Sequence, residues 1–214
     1  MLHNPGWQYF LWTDQDNRQL VKQFYPWFLE VYDGFPKGIM RADAARYLYM
    51  HKFGGVYADL DFECLRPMEQ LLENKQVVLA AMTNDTAYDQ NVPNAWLAST
   101  PGHQFWYFCL QQIIKAAGCK NDRWDWVEAT TGPVMLTTAS RAYLNMGLPN
   151  VTVEAPGVIY PVDWRKTLWS PAKLEGLDEW SVCYPPHRAF NETLCKAKSP
   201  HAFAITYWTH TWKR

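Results

Sequence analysis

Apolar and polar positions along the chain change their period several times, and each change marks an element. Trp7-Gln8-Tyr9-Phe10-Leu11-Trp12 is a nearly unbroken apolar run ended by the turn-forming Thr13-Asp14-Gln15-Asp16-Asn17. This predicts a buried strand, then a turn. Asp14 or Asp16 is placed to cap a helix through 19–24, and Pro26, Gly34, Pro36 and Gly38 interrupt the chain beyond it. Over 39–53, Ala42, Ala45, Leu48 and Tyr49 share one face at helical spacing. Gly54-Gly55 then ends the helix as a C-cap would. Val56-Tyr57-Ala58 makes a short strand that runs into Asp59-Leu60-Asp61. A helical stretch at 69–73, a central-type apolar strand at 77–81, amphipathic helices over 104–117 and 134–143, and short strands near 151–153 and 203–207 follow. Strands alternating with helices predict an α/β fold with a central, mostly parallel sheet flanked by helices. One domain over 1–214 accommodates it. Ligands of such sheets sit beyond the carboxyl ends of the strands, which is where Asp59 and Asp61 fall.

Composition narrows the classes of function. A formal net charge of -1 lacks the basic stripe of a nucleic-acid binder. Twelve Trp in 214 residues supply either stacking platforms for sugars or simply a large aromatic core. No run of about 18 apolar residues predicts a transmembrane segment, and Met1-Leu2-His3-Asn4-Pro5 has no signal-peptide pattern. The chain as given therefore reads as soluble. Five cysteines without a C-x-x-C pair argue against a zinc site. Cys183 and Cys195 bracket a short Pro-rich segment, and either close a disulfide or stay reduced with Cys64, Cys109 and Cys119. Asn84, Asn150 and Asn191 begin Asn-x-Thr triplets, which matter only in a lumenal setting.

The chemistry concentrates at two places. In an extended segment Asp59 and Asp61 point the same way and Leu60 turns inward. Two carboxylates pointing together repel, so they call for a cation or a donor-rich ligand. Hard oxygens favour Mg²⁺ or Mn²⁺, which bridge protein carboxylates and substrate phosphates. In the preceding helix, Asp43 and Arg46 are three apart and share a face. They form either a structural ion pair or part of a site.

The stretch Arg41-Ala42-Asp43-Ala44-Ala45-Arg46-Tyr47, then Phe53-Gly54-Gly55-Val56-Tyr57-Ala58-Asp59-Leu60-Asp61, resembles the signature of family-32 glycosyltransferases with the DXD motif. That family includes the yeast-type initiating α-1,6-mannosyltransferase and the mannosyltransferases acting on inositol phosphorylceramide. The likeness continues in Asn4-Pro5-Gly6-Trp7, Leu11-Trp12-Thr13-Asp14, Asn94-Ala95-Trp96-Leu97-Ala98, Thr131-Gly132-Pro133 and His210-Thr211-Trp212. Tyr25-Pro26-Trp27-Phe28-Leu29 is similar to the ceramide-modifying branch. The resemblance implies a GT-A-like domain and a metal-dependent, retaining hexosyltransferase using Mn²⁺ or Mg²⁺. Its donor would be GDP-mannose first and a UDP-hexose second, and its acceptor a glycan or lipid-linked hydroxyl, as in glycosphingolipid biosynthesis. It further implies roles: Asp61 and His210 as metal ligands, Asp59 on the donor and, through water, on the metal. Asp43 and Arg46 would grip donor-sugar hydroxyls, Asn94 would lie near the sugar, and Trp212 would donate its indole N–H to the β-phosphate. Family members usually open on a strand of the type Ile-Pro-Lys-x-Ile-His-Gln-x-Trp, and this sequence starts after that point. Relatives of this kind work at Golgi membranes, which implies a Golgi-lumenal setting if an anchor lies upstream, while a bacterial or viral cytoplasm fits the sequence equally well.

Other groups carry two readings each. Glu63 either supports the metal or faces solvent. Asp122, Asp125 and Glu128, interleaved with Trp124 and Trp126, either line an acceptor groove or sit on a surface helix. His51, His103, His187 and His201 lack metal spacing and read as structural or exposed. Tyr160-Pro161-Val162-Asp163-Trp164 resembles a late family segment with no assigned role. The rival functions are a metal-dependent phosphohydrolase, for which the chain lacks a two-metal cluster, and a non-catalytic sugar-nucleotide-binding domain.

Overall fold

The first helix begins at the turn itself. The Thr13 hydroxyl accepts from the Asp16 amide, and the Asp16 carboxylate accepts from the Thr13 amide. This capping box satisfies two helix-end donors reciprocally. The cap is therefore Thr13, with Asp14 and Asp16 inside the first turn of α1, Asp14–Phe24. Pro26 starts a 3-10 turn, Pro26–Phe28, and α2 follows at Leu29–Asp33. The computed structural model describes residues 3–118, 126–163, 180–185 and 188–208. In chain order the remaining elements are α3 Gly38–Lys52, β1 Gly55–Ala58, β2 Phe62–Cys64, α4 Glu69–Leu72, β3 Val77–Ala80, β4 Trp96–Ser99, α5 Gln104–Ala117, α6 Trp126–Thr130, α7 Pro133–Asn145, β5 Val151–Glu154, α8 Glu192–Ala197 and β6 Ala204–Thr206.

The run at 7–12 corrects the expectation of a buried strand. It pairs with no described strand, and Tyr9, Phe10 and Leu11 are exposed. Only its ends pack: Trp12 stacks on Tyr49 at 4.5 Å, and the Trp7 indole donates to Glu69. An apolar run is buried as a strand only where neighbours supply ladder bonds and a covering layer.

The sheet has the order β1-β4-β3-β5. β4 runs antiparallel to both β1 and β3, while β3 and β5 are parallel. β1, β3 and β5 thus share one direction, but β4 is reversed in the interior. Two of the three described pairings are antiparallel, so the sheet is mixed rather than mostly parallel. The cause lies in the 81–95 connection, which contains no helix among its residues; without a crossover helix, successive strands pair antiparallel. Both faces are covered. Val77 and Leu79 face a core built with α1, α3, α5 and α7. Val78 and Ala80 face a second core with Met68, Leu71, Ile159, Tyr160 and Ala204. This alternation explains why all four β3 residues are buried.

Gly54 fixes the junction between α3 and β1. Its φ is +66°, and a Cβ there would lie 2.6 Å from the Ser99 carbonyl oxygen. Only glycine allows the helix to turn this tightly against the end of β4. Near the other end of the chain a disulfide joins Cys183 to Cys195, tying a 3-10 turn, Ser181–Cys183, to α8. Cys64 and Cys109 are free thiols, and Cys119 lies outside the described residues.

Candidate active site

Asp43 and Arg46 lie one turn apart on α3, and both are buried, at 4% and 5% exposure. Arg46 Nη2 meets Asp43 Oδ1 at 3.0 Å. Asn94 Nδ2 donates to the same oxygen at 3.0 Å, and Thr131 Oγ1 donates to Asp43 Oδ2 at 3.1 Å. A buried charge survives only when paired and hydrogen-bonded, and both carboxylate oxygens are. Burial nevertheless pushes the Asp43 carboxyl up to about 6, against the opposing pull of Arg46, Thr131 and Asn94. For Arg46, burial works against the charge, but Tyr57, Asp43 and Asp59 outweigh it and hold the guanidinium above its ordinary value. Its Nε is buried without a hydrogen-bond partner among the described residues.

The reversal of β4 completes the cluster. Because Ala58 pairs with Trp96, the residues entering β4 arrive at the carboxyl end of β1. The Asp59 amide continues the ladder by donating to the Ala95 carbonyl at 2.9 Å. Arg46 Nη1 donates to the Asn94 carbonyl at 2.8 Å and lies 3.5 Å from Asp59 Oδ1. Tyr57 donates its hydroxyl to that Asp59 oxygen at 2.6 Å, with its ring under the Arg46 guanidinium at 4.8 Å. One guanidinium therefore ties helix, β1 end and β4 entry together. Asp59 keeps 37% of its side chain exposed.

The acidic triplet is not extended. Leu60 and Asp61 form a turn in which the Phe62 amide donates to the Asp59 carbonyl at 3.1 Å. Leu60 points outward at 81% exposure, correcting the inward placement that a strand geometry implies. A tight turn breaks the period-two alternation. Asp61 is exposed and is reached from the far end of the chain. Phe62 pairs with Thr206 in the β2–β6 ladder, and Thr206 Oγ1 donates to Asp61 Oδ2 at 3.0 Å.

The structure thus brings Asp43, Arg46, Asp59 and Asn94 into one network and sets Asp61 on the turn beside it. His210 and Trp212 lie outside the described residues, as do Asp122, Trp124, Asp125, Trp164 and His187. Glu63 meets Lys196 at 2.6 Å. His51 bonds the Tyr25 hydroxyl at 2.7 Å, and His103 caps α5. Four participants had no assigned role in the sequence: Tyr57, Thr131, Tyr47 and Thr206. Tyr47 donates to the Thr131 carbonyl and accepts from Asn94. Thr131 stood in the Thr131-Gly132-Pro133 resemblance, whereas nothing in the pattern singled out Thr206.

Chemically, the site offers a fixed carboxylate on a buried cationic floor and a second, accessible carboxylate on a turn. Among the described residues no group of three or more His, Cys, Asp or Glu side chains gathers around a cation position.

Residues 1–78 match the family described as the glycosyltransferase sugar-binding region containing the DXD motif. Asp59-Leu60-Asp61 falls within that stretch. Over this stretch the chain is similar to the DXD-containing glycosyltransferases. It is 34% identical over 139 residues to inositol phosphoceramide mannosyltransferase 1 of Schizosaccharomyces pombe, covering 65% of this chain and 42% of that one. It is 31% identical over 180 residues to the mannosyl phosphorylinositol ceramide synthase SUR1 of Saccharomyces cerevisiae, covering 84% and 45%. To the initiation-specific α-1,6-mannosyltransferase of Candida albicans it is 33% identical over 79 residues, covering 36% and 20%. The chain spans less than half the length of these curated relatives.

Proposed function

We propose that the chain is a GT-A-type glycosyltransferase domain that moves a hexose, mannose first among candidates, from a nucleotide diphosphate to a hydroxyl of an inositol-phosphate-bearing glycolipid. The observation that carries this reading is the pairing of two unlike carboxylates at the carboxyl end of β1, inside the DXD-matching stretch. Asp59 is held by Arg46 and Tyr57, while Asp61 is presented on an open turn. The names of the yeast relatives supply mannose and the acceptor class; GDP-mannose is the donor proposed first, and a UDP-hexose the second.

In this reading Asp61, with His210, would hold a Mn²⁺ or Mg²⁺ ion, and Asp59 would contact the donor and support the ion. When bound, such an ion would supply positive charge at the diphosphate leaving group. Asp43 and Arg46 are the floor of the donor subsite. Their slight exposure means that they act chiefly by orienting Asp59 and keeping it paired, with only their edges toward the sugar. Asn94 fixes both Asp43 and Arg46, and Trp212 would donate its indole N–H to the β-phosphate. The anomeric C–O bond to the diphosphate breaks as the acceptor oxygen bonds to the anomeric carbon, and the acceptor proton leaves on the departing diphosphate. Preorganised charge stabilises that leaving group. With attack from the leaving-group face the configuration is retained, and no carboxylate base is required.

The test is a transfer assay with GDP-mannose and UDP-glucose, with and without Mn²⁺, on inositol phosphorylceramide. Mannose transfer that requires Mn²⁺ and gives an α-linked product is expected. No metal-dependent binding of either donor would overturn the transferase reading, and metal-dependent binding without turnover on any acceptor would favour a non-catalytic domain.

A further inference from the structure

β6 is a short strand buried throughout. At such a position a valine packs as well as a threonine and brings no hydroxyl to satisfy. The side chains along β6 divide between two cores. Ile205 packs on the small one formed with Val162 and the disulfide-bonded Cys183 and Cys195, while Ala204 packs on the core with Met68 and Tyr160. Thr206 shares the face of Ala204 by the period-two alternation. It is 1% exposed and lies across the ladder from Phe62, the residue after Asp61. The buried network around Asp43 and Arg46 stands instead on α3 and the larger helical core. The two halves of the site are therefore held by different parts of the chain.

A hydroxyl has one proton and two lone pairs, and the neighbours of Thr206 decide their use. The Trp208 amide donates to Oγ1 at 3.2 Å, so the hydroxyl accepts on that side, and its proton goes to Asp61 Oδ2 at 3.0 Å. The amide that sets this direction is itself fixed. Trp208 has φ +52°, an outlier for a bulky residue, of the kind that persists where the surroundings over-determine it. Its ring stacks on Tyr160 with centroids 5.5 Å apart, and its indole donates to the Val162 carbonyl at 2.7 Å. A second tie runs alongside, where Lys196 of α8 reaches Glu63 at 2.6 Å. A hydroxyl that only capped the Trp208 amide would need no carboxylate beside it. A neutral donor also suits the turn, because it orients a carboxylate and leaves its charge for a cation, which a lysine or arginine would neutralise.

We propose that Thr206 is a positioning residue for the acid turn. Its hydroxyl, aimed by the Trp208 amide, sets the orientation of the Asp61 carboxylate toward a divalent cation and acts only through Asp61. The proposal rests on the transferase reading of that turn.

The test is calorimetric titration of the full chain with GDP-mannose and with UDP-glucose over a series of Mn²⁺ concentrations, with thermal melting of the same samples. Thr206→Val removes the hydroxyl at nearly constant volume. It should raise the Mn²⁺ concentration for half-maximal donor binding about tenfold or more, the usual cost of losing a group that orients a metal ligand. Thr206→Ala, which loses the same hydroxyl with different packing, should raise it to a similar degree. Thr206→Ser keeps the hydroxyl and should stay within about threefold of wild type. A merely structural role would lower the melting temperatures of the Val and Ala variants and leave the Mn²⁺ requirement unchanged, and that result would overturn the proposal. So would a Ser variant as impaired in its Mn²⁺ requirement as the Val variant. Wild-type chain whose donor binding is absent or independent of Mn²⁺ would overturn the transferase reading of the turn, and the role of Thr206 with it.

Discussion

Asp43 and Asp61 carry the same carboxyl group and sit on neighbouring elements, yet the fold treats them in opposite ways. Asp43 is buried, with both oxygens engaged by Arg46, Asn94 and Thr131. Asp61 stands exposed on a turn, bonded by Thr206 from the far end of the chain. The first is part of the scaffold, since removing a partner leaves a charge in a dry interior. The second is available to a ligand, since water replaces whatever is removed. Stability and binding should therefore separate cleanly between the two regions.

The largest expected effect lies in the buried region. Arg46→Ala strips the shared cation from Asp43 and Asp59 and should cost about 3–5 kcal/mol of folding stability, read by urea unfolding. A loss below about 1 kcal/mol would break the contrast. Gly54→Ala comes next, forcing a Cβ against the Ser99 carbonyl at positive φ, and should cost about 2 kcal/mol or more. If the variant melts like the wild type, the α3–β1 junction does not depend on that backbone turn.

A smaller, pH-dependent difference follows from Asp43. Its folded carboxyl titrates at about 6, above the ordinary 3.8, so the folded state holds its proton more tightly than the unfolded one. Its contribution to stability is full below about pH 3.8 and is lost as the pH rises through about 6. Asp43→Asn should remove this component, seen as a difference between the wild-type and variant stability–pH curves across that window. Parallel curves would show that the Asp43 carboxyl titrates alike in the folded and unfolded chain.

Much of the helical framework was legible because its signals are local. The 104–117 helix matches α5, and Gly54-Gly55 marks the end of α3 because only glycine fits the turn. The acidic pair and the Asp43/Arg46 spacing were legible for the same reason, as short-range patterns. What escaped were features set by tertiary partners. The interior position of reversed β4 depends on how 81–95 returns across the sheet, which no period within β4 encodes. The fate of the 7–12 run depends on a partner strand, and its composition says nothing about one. Thr206 enters the site only because β6 pairs with β2, 145 residues beyond Asp61 in sequence.

The most direct measurement compares Asp61→Ala with the wild type in Mn²⁺-dependent GDP-mannose binding by calorimetry, with thermal melting of the same samples. The exposed turn should tolerate the loss within about 0.5 kcal/mol of stability, while metal-dependent binding falls below detection. Full retention of that binding in a folded Asp61→Ala chain would contradict the assignment of the turn as the metal-holding half of the site.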